Sequence, residues 1–257
     1  MSALLRMEAG KLVRLSSVRA SALLLIVFPL LWSYAPGVHE VYGFFVVSGF
    51  QVPALSLLSS MEFLMPLLMA IVAAELVGIE ATHGTLPTVL LRPVTRSAWL
   101  LAKLLVLSVL PFVAMGFFLA ASLAVGIPFG FDAFLGGTGL GEGGLTGQGT
   151  LQPNAAMAEL VRAYLMAATS LIPITLLAVL ATVVTMSAAS GALATLSVLI
   201  VMNLLVVFPG LEPYLLTTHL SAYADPVASV TWVVTLIALY SAAFASVAVV
   251  LFERKDF

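Results

Sequence analysis

Six long segments of the chain are overwhelmingly apolar, and their length decides what it can fold into. They run at about 20–36, 54–78, 98–126, 160–185, 190–208 and 227–252. A helix rising 1.5 Å per residue needs about 20 apolar residues to cross the hydrocarbon core of a bilayer, and each segment meets or approaches that length. The first is the shortest, and its start merges with the helix expected before it. Strands of a membrane barrel would alternate apolar and polar residues, whereas these runs are apolar on every face. A water-soluble core could not hold them: 62% of the 257 residues are hydrophobic and 9% charged, with a mean hydropathy of +1.17. The expected fold is therefore all-α, a polytopic membrane protein of six transmembrane helices forming one domain over 1–257.

Charge placement sets the orientation. Arg6, Lys11, Arg14 and Arg19 precede the first span, Arg92, Arg96 and Lys103 lie between the second and third, and Arg254 and Lys255 follow the sixth. Only Arg162 falls elsewhere. The positive-inside rule then puts both termini and the 79–97 loop in the cytoplasm of a cell that carries the chain in its inner or plasma membrane. The turn from Met186 to Gly191 has no charge and is inside by parity alone. Residues 1–19 read as an interfacial helix: Leu5, Ala9, Leu12, Val13 and Ser16 share about a 100° arc, with Arg6, Lys11 and Arg14 elsewhere. An ordinary charged tail fits the same residues. So does a signal peptide ending near Ser33-Tyr34-Ala35, but retention of the segment is expected.

The outer connections are longer than the inner ones. Residues 36–53 include an apolar stretch from Tyr42 to Phe50 suited to dipping back toward the membrane. The external loop 127–158 is glycine-rich from Gly136 to Gly149, a composition that predicts a mobile linker without regular structure. Residues 209–226, with Pro209, Pro213 and Pro226 around Tyr214-Leu215-Leu216, fit a short re-entrant or surface helix. No internal repeat is visible, so the inverted-repeat signature of many secondary transporters is missing.

Between the second and third spans lies a compact polar island, Glu80-Ala81-Thr82-His83-Gly84-Thr85-Leu86, followed by Leu91-Arg92-Pro93-Val94-Thr95-Arg96 and Lys103. Gly84 can end the second span and Thr85 can cap a new helix. Pro87 is tolerated in a first turn, and Pro93 discourages helix at Arg92. The pattern predicts a cytoplasmic helix of two turns, about 10 Å long. Leu86, Val89 and Leu90 form its apolar stripe, and Thr95 or Ser97 caps the third span. Such a helix suits a groove on a cytoplasmic partner, where Arg92 and Arg96 would meet acids of that partner or Glu80. The residues alone fit equally well a plain helical hairpin whose basic side chains mark the inner face.

The order Glu80, Gly84-Thr85-Leu86, Pro93-Val94-Thr95-Arg96 and Lys103 resembles the hallmark of type 2 ABC transporter permeases. There an acid is followed by Gly-Thr-Leu, a Leu-rich turn, Pro-Val-Ser/Thr-Arg and a Lys opening the third span. Glu8 and Lys11 before the first span, and Phe252-Glu253-Arg254-Lys255-Asp256-Phe257 at the end, resemble the family more loosely. His83 and Pro87 lie outside its hallmark. The resemblance implies a permease that pairs with a second copy or a homologue to form a dimer in membrane lipid. It implies docking of a separate cytoplasmic ATP-binding subunit on Glu80, Gly84, Thr85, Leu86, Leu90, Arg92 and Arg96. Closure of such subunits would rock the helices and expel a substrate. ATP and Mg would then be bound by the partner, with no cofactor in this chain, which would not itself be an enzyme. In keeping with that, the sequence has no G-x-x-x-x-G-K-[ST], and Gly10-Lys11 lacks the earlier glycine and the following Ser or Thr.

Glu62 falls about eight residues into the second run, about 12 Å down. An acid at the bilayer centre costs roughly 2.5–3.5 kcal/mol on insertion scales, so Glu62 should face protein or water. It fits a substrate path or a structural hydrogen bond within the bundle. Asn203 fits the same path or an interhelical contact. Glu75 lies on another face near the inner surface and goes with the cytoplasmic polar cluster. His39, His83 and His219 fall in separate loops and suggest no metal site, and nothing points to nucleic acid. His39-Glu40-Val41-Tyr42-Gly43 fails the H-E-x-x-H zinc pattern at its fifth residue. The rival to an ATP-driven exporter is an ATP-independent, ion-coupled secondary transporter in which Glu62 carries a proton or cation.

Overall fold

The computed structural model describes residues 2–35, 46–82, 95–136, 140–141, 144–224 and 230–255. Its helices are α1 (Ser2–Arg14), α2 (Ser16–Tyr34), α3 (Gln51–Ser60), α4 (Leu64–Thr82), α5 (Arg96–Gly126), α6 (Pro153–Thr185), α7 (Ala188–Leu204) and α8 (Val230–Glu253). Five of them, α2, α5, α6, α7 and α8, are long and apolar enough to cross a membrane. The bent pair α3–α4 makes a sixth if counted as one span. The fold is an all-α polytopic membrane protein.

The second apolar run is not the continuous helix expected from its composition. Residues Met61–Phe63 interrupt it, and α3 and α4 meet at 66°. Pro66 supplies a local reason, since in an unbroken helix its ring would collide with the carbonyl of Glu62, to which it has no N–H to donate. Glu62 thus sits at a bend and not along the side of a straight span.

α6 is the hub. It packs against α4, α5, α7 and α8, and 72% of its most apolar window is buried, against 17–33% in the other spans. Its buried face is rich in small residues, among them Ala156, Ala163, Ala167, Ala168 and Ala178, which let neighbouring backbones come close. Prolines open and glycines pack this helical layer. Pro153 occupies the first turn of α6, where its missing N–H costs nothing. Gly78 of α4 meets α7 so closely that a Cβ there would lie 2.6 Å from the Ala188 nitrogen, and one on Gly191 would lie 2.8 Å from the Thr182 Cα. Neither position has room for a side chain.

The glycine-rich connection also departs from expectation, because it is built around apolar anchors. Phe134–Gly136 (β1) pairs antiparallel with Gly149–Leu151 (β2), and Gly141 bridges Gly144 beyond them. Phe134 and Leu151 turn inward, and Leu140 and Leu145 are completely buried. Gly144 and Gly149 have φ of 116° and 107°, values that a side chain would oppose. Here the glycines serve tight turns, and the leucines between them give the hairpin its reason to fold. Residues 209–224 form short 3-10 turns at Glu212–Tyr214 and Thr218–Ser221 in place of one surface helix, with Leu215 and Leu216 buried beneath them.

The bundle has two unlike ends. One gathers α1, the end of α4, the start of α5 and the ends of α6 and α8, and with them most of the basic residues. The other carries the hairpin, the 3-10 turns and Arg162, which donates to the Tyr223 carbonyl at 3.1 Å.

Candidate functional site

At the basic end, α1 lies against the bundle with Leu4, Glu8, Lys11 and Leu15 within about 60° of one another at 100° per residue. Glu8 is completely buried and Leu15 nearly so. The apolar arc expected to lie in the headgroup layer points largely away from the bundle: Ala9 is exposed and Val13 is 69% exposed. The reason is electrostatic. Lys103, also fully buried, projects from the second turn of α5 into a space without water and must find a counter-charge. That demand sets the rotation of α1.

Lys103 uses all three of its N–H donors. Its Nζ donates to Glu8 Oε2 at 2.7 Å, to the Leu76 carbonyl at 2.8 Å and to Glu80 Oε1 at 3.2 Å. It also lies 4.7 Å from the centre of the Trp99 ring. Lys11 bridges the same acids, 2.6 Å from Glu8 Oε1 and 2.6 Å from Glu80 Oε1. Two carboxylates and two ammonium groups thus make a neutral cluster that fastens α1 to both α4 and α5. Burial alone would lower the pKa of Lys11, but its hydrogen bonds to Glu8 and Glu80 outweigh that and hold it above the ordinary value of 10.5. The stabilisation it brings is therefore complete at neutral pH and is lost as pH rises through the elevated pKa.

Two further contacts complete this end. Glu75 accepts hydrogen bonds from the Ser16 hydroxyl and the Ser17 N–H, both at 3.2 Å, placing a carboxylate at the start of α2 where the helix dipole favours it. At the other terminus, Trp99 stacks on Phe252 with centroids 5.0 Å apart. Arg96 donates to the Lys255 carbonyl at 2.7 Å, and Lys255 caps α6 through the carbonyls of Val183 and Val184 at 2.6 and 2.8 Å. The side chain of Thr95 accepts from the Ala98 N–H at 3.2 Å and caps α5, as its position suggested.

Of the residues assigned by sequence to a partner contact, Gly84, Thr85, Leu86, Leu90 and Arg92 lie outside the described residues, as does the whole expected helix between them. Glu80 and Arg96 flank that segment. Glu80 is only 7% exposed and turns into the charge cluster, and Arg96 reaches the C-terminal tail. What local sequence reasoning missed is that Glu8, Lys11, Glu80 and Lys103 are one object. Glu8 and Lys103 are 95 residues apart, and although the resemblance marked all four residues, local chemistry signalled only a lysine well inside an apolar run.

Glu62 and Asn203 are brought together. Both line a cavity of about 510 Å3 between the α3–α4 bend, α7 and the 209–224 segment. The model of the family described as ABC-2 family transporter protein matches residues 4–185, a stretch that contains the charge cluster, the bend and α6. No curated protein matches the chain.

Proposed function

Because this chain belongs to the ABC-2 family of transporter permeases, we propose that it is the membrane half of an ATP-driven exporter, worked by a cytoplasmic ATP-binding subunit. Permeases of this family generally operate with such a subunit. In our reading it docks on residues 80–96, with both termini and the basic end of the bundle in the cytoplasm of the inner membrane. Two permease domains pair, and closure of their ATP-binding subunits presses on the 83–94 segment.

The observation that carries this reading is the charge cluster. It ties both flanks of the segment, Glu80 on α4 and Lys103 on α5, to one another and to α1. Force applied between them moves three helices together. α4 then carries the displacement to the bend at Glu62, about 27 Å away along the helix. There the cavity that holds Glu62 and Asn203 would change shape, as alternating access requires.

The rival reading, an ion-coupled transporter using Glu62, draws support from the broken α3–α4 pair, since discontinuous helices often hold coupling ions. Purification separates the two. Gentle solubilisation of native membranes and affinity capture of this chain should bring down a nucleotide-hydrolysing subunit in stoichiometric amount. Capture of the intact chain with no such subunit, together with substrate movement by the chain alone, would decide for the rival.

A further inference from the structure

We infer that the cavity at the α3–α4 bend binds an organic cation with an apolar body, its charge held by Glu62. The inference rests on the transport reading, because it names the cargo class of that site. A volume of about 510 Å3 lies within the range of small-molecule sites. Most of the wall is apolar, with Met61, Phe63, Leu199, Ile200 and Leu220 contributing. Glu62 is the one charged side chain among the described residues that line it. Its carboxylate sits where the helix is interrupted, and it gives the cavity a negative sign.

The surroundings leave that sign standing. Arg162, which reaches the Tyr223 carbonyl, is held by the carboxylate of Glu159 with Nε–Oε2 at 2.9 Å, so its charge is already matched. The Tyr223 phenol is pushed up to about 12 by burial and by the Glu62 carboxylate, so it stays neutral and offers only a dipole. An anion would meet repulsion without a compensating cation. A calcium or magnesium ion would need six or more oxygen ligands and a zinc ion four donors, and an apolar wall with one carboxylate and no histidine or cysteine among its described residues supplies neither shell. An organic cation uses every part: Glu62 for its charge, Phe63 and Tyr223 for cation–π contact, and the aliphatic wall for its body. The Thr217 hydroxyl, which also lines the cavity, is buried without a hydrogen-bond partner among the described residues. An occupant with a polar group would satisfy it.

The test uses two probes of nearly the same shape and opposite charge, tetraphenylphosphonium and tetraphenylborate. Binding to the purified chain, with whatever subunit accompanies it, is measured by equilibrium dialysis in lipid nanodiscs, and empty discs give the background. The wild type should prefer the phosphonium at least tenfold. Glu62→Gln should lower phosphonium affinity about tenfold and relieve the repulsion of borate, with the unfolding midpoint preserved. Asn203→Leu should weaken the phosphonium less. Equal binding of the two probes by the wild type, or phosphonium binding unaffected by Glu62→Gln, would overturn the inference whatever the variants do to folding. Failure of the ATP-driven reading would appear separately, as absence of the hydrolysing subunit from a preparation that still selects the phosphonium.

Discussion

Lys103→Met is expected to destabilise the protein by about 3–5 kcal/mol, the usual cost of stripping one partner from a buried ion pair. The substitution keeps the side chain's volume and removes only its charge and donors. Glu8 would remain completely buried, and Lys11 alone would face two carboxylates. A net negative charge would then be left in a region of low dielectric, and the Leu76 carbonyl would lose the hydrogen bond it accepts from Lys103 Nζ. The unfolding midpoint in mild detergent should fall, and α1 should detach first. Trypsin cleavage at Arg14 and Arg19, both exposed at the α1–α2 junction, reads that detachment. Pairing Lys103→Gln with Glu8→Gln restores neutrality, so the double variant should be less destabilised than the sum of the single ones. Purely additive losses, or a Lys103→Met protein as stable and as protease-resistant as the wild type, would show that the four charges do not act as a unit.

The second large effect falls on partner binding and should leave the fold alone. Leu86→Asp or Leu90→Asp is expected to weaken capture of the ATP-binding subunit by tenfold or more. The sequence sets these leucines four residues apart, on one face of the helix expected there, and apolar anchors of this kind dominate interface energy. A carboxylate pressed into an apolar groove would be desolvated without a partner, at a cost of a few kcal/mol. Each 1.4 kcal/mol is about a factor of ten in affinity. The unfolding midpoint of the chain should not move, which separates these variants from Lys103→Met. Retention of the subunit at wild-type level by both variants would remove the 83–94 segment from the interface.

Much of this architecture was legible in the sequence because a bilayer demands uninterrupted apolar length, and α2, α5, α6, α7 and α8 all fall on predicted runs. The cap at Thr95 was legible too, since it follows from local chemistry. On α1, apolar periodicity marked the arc that turns away from the protein but gave no sign of what the opposite face packs against. In a membrane protein it is the polar side chain that seeks the bundle interior, as Glu8 does. The α3–α4 bend was hidden because hydropathy averages across it, although Pro66 sat in plain view. The β1–β2 hairpin was lost behind its glycines, whose number outweighed the four apolar anchors, Phe134, Leu140, Leu145 and Leu151, that fold it. Long-range pairing of Glu8 with Lys103 leaves no trace in local spacing. The resemblance drew attention to those residues without saying that they touch.

The most direct test of the account is transport in sealed vesicles containing the chain together with its ATP-binding subunit. Using a labelled organic cation, movement should require hydrolysable ATP on the face bearing residues 80–96 and stop when the subunit is omitted. Movement by this chain alone, driven by an ion gradient and indifferent to ATP, would contradict it.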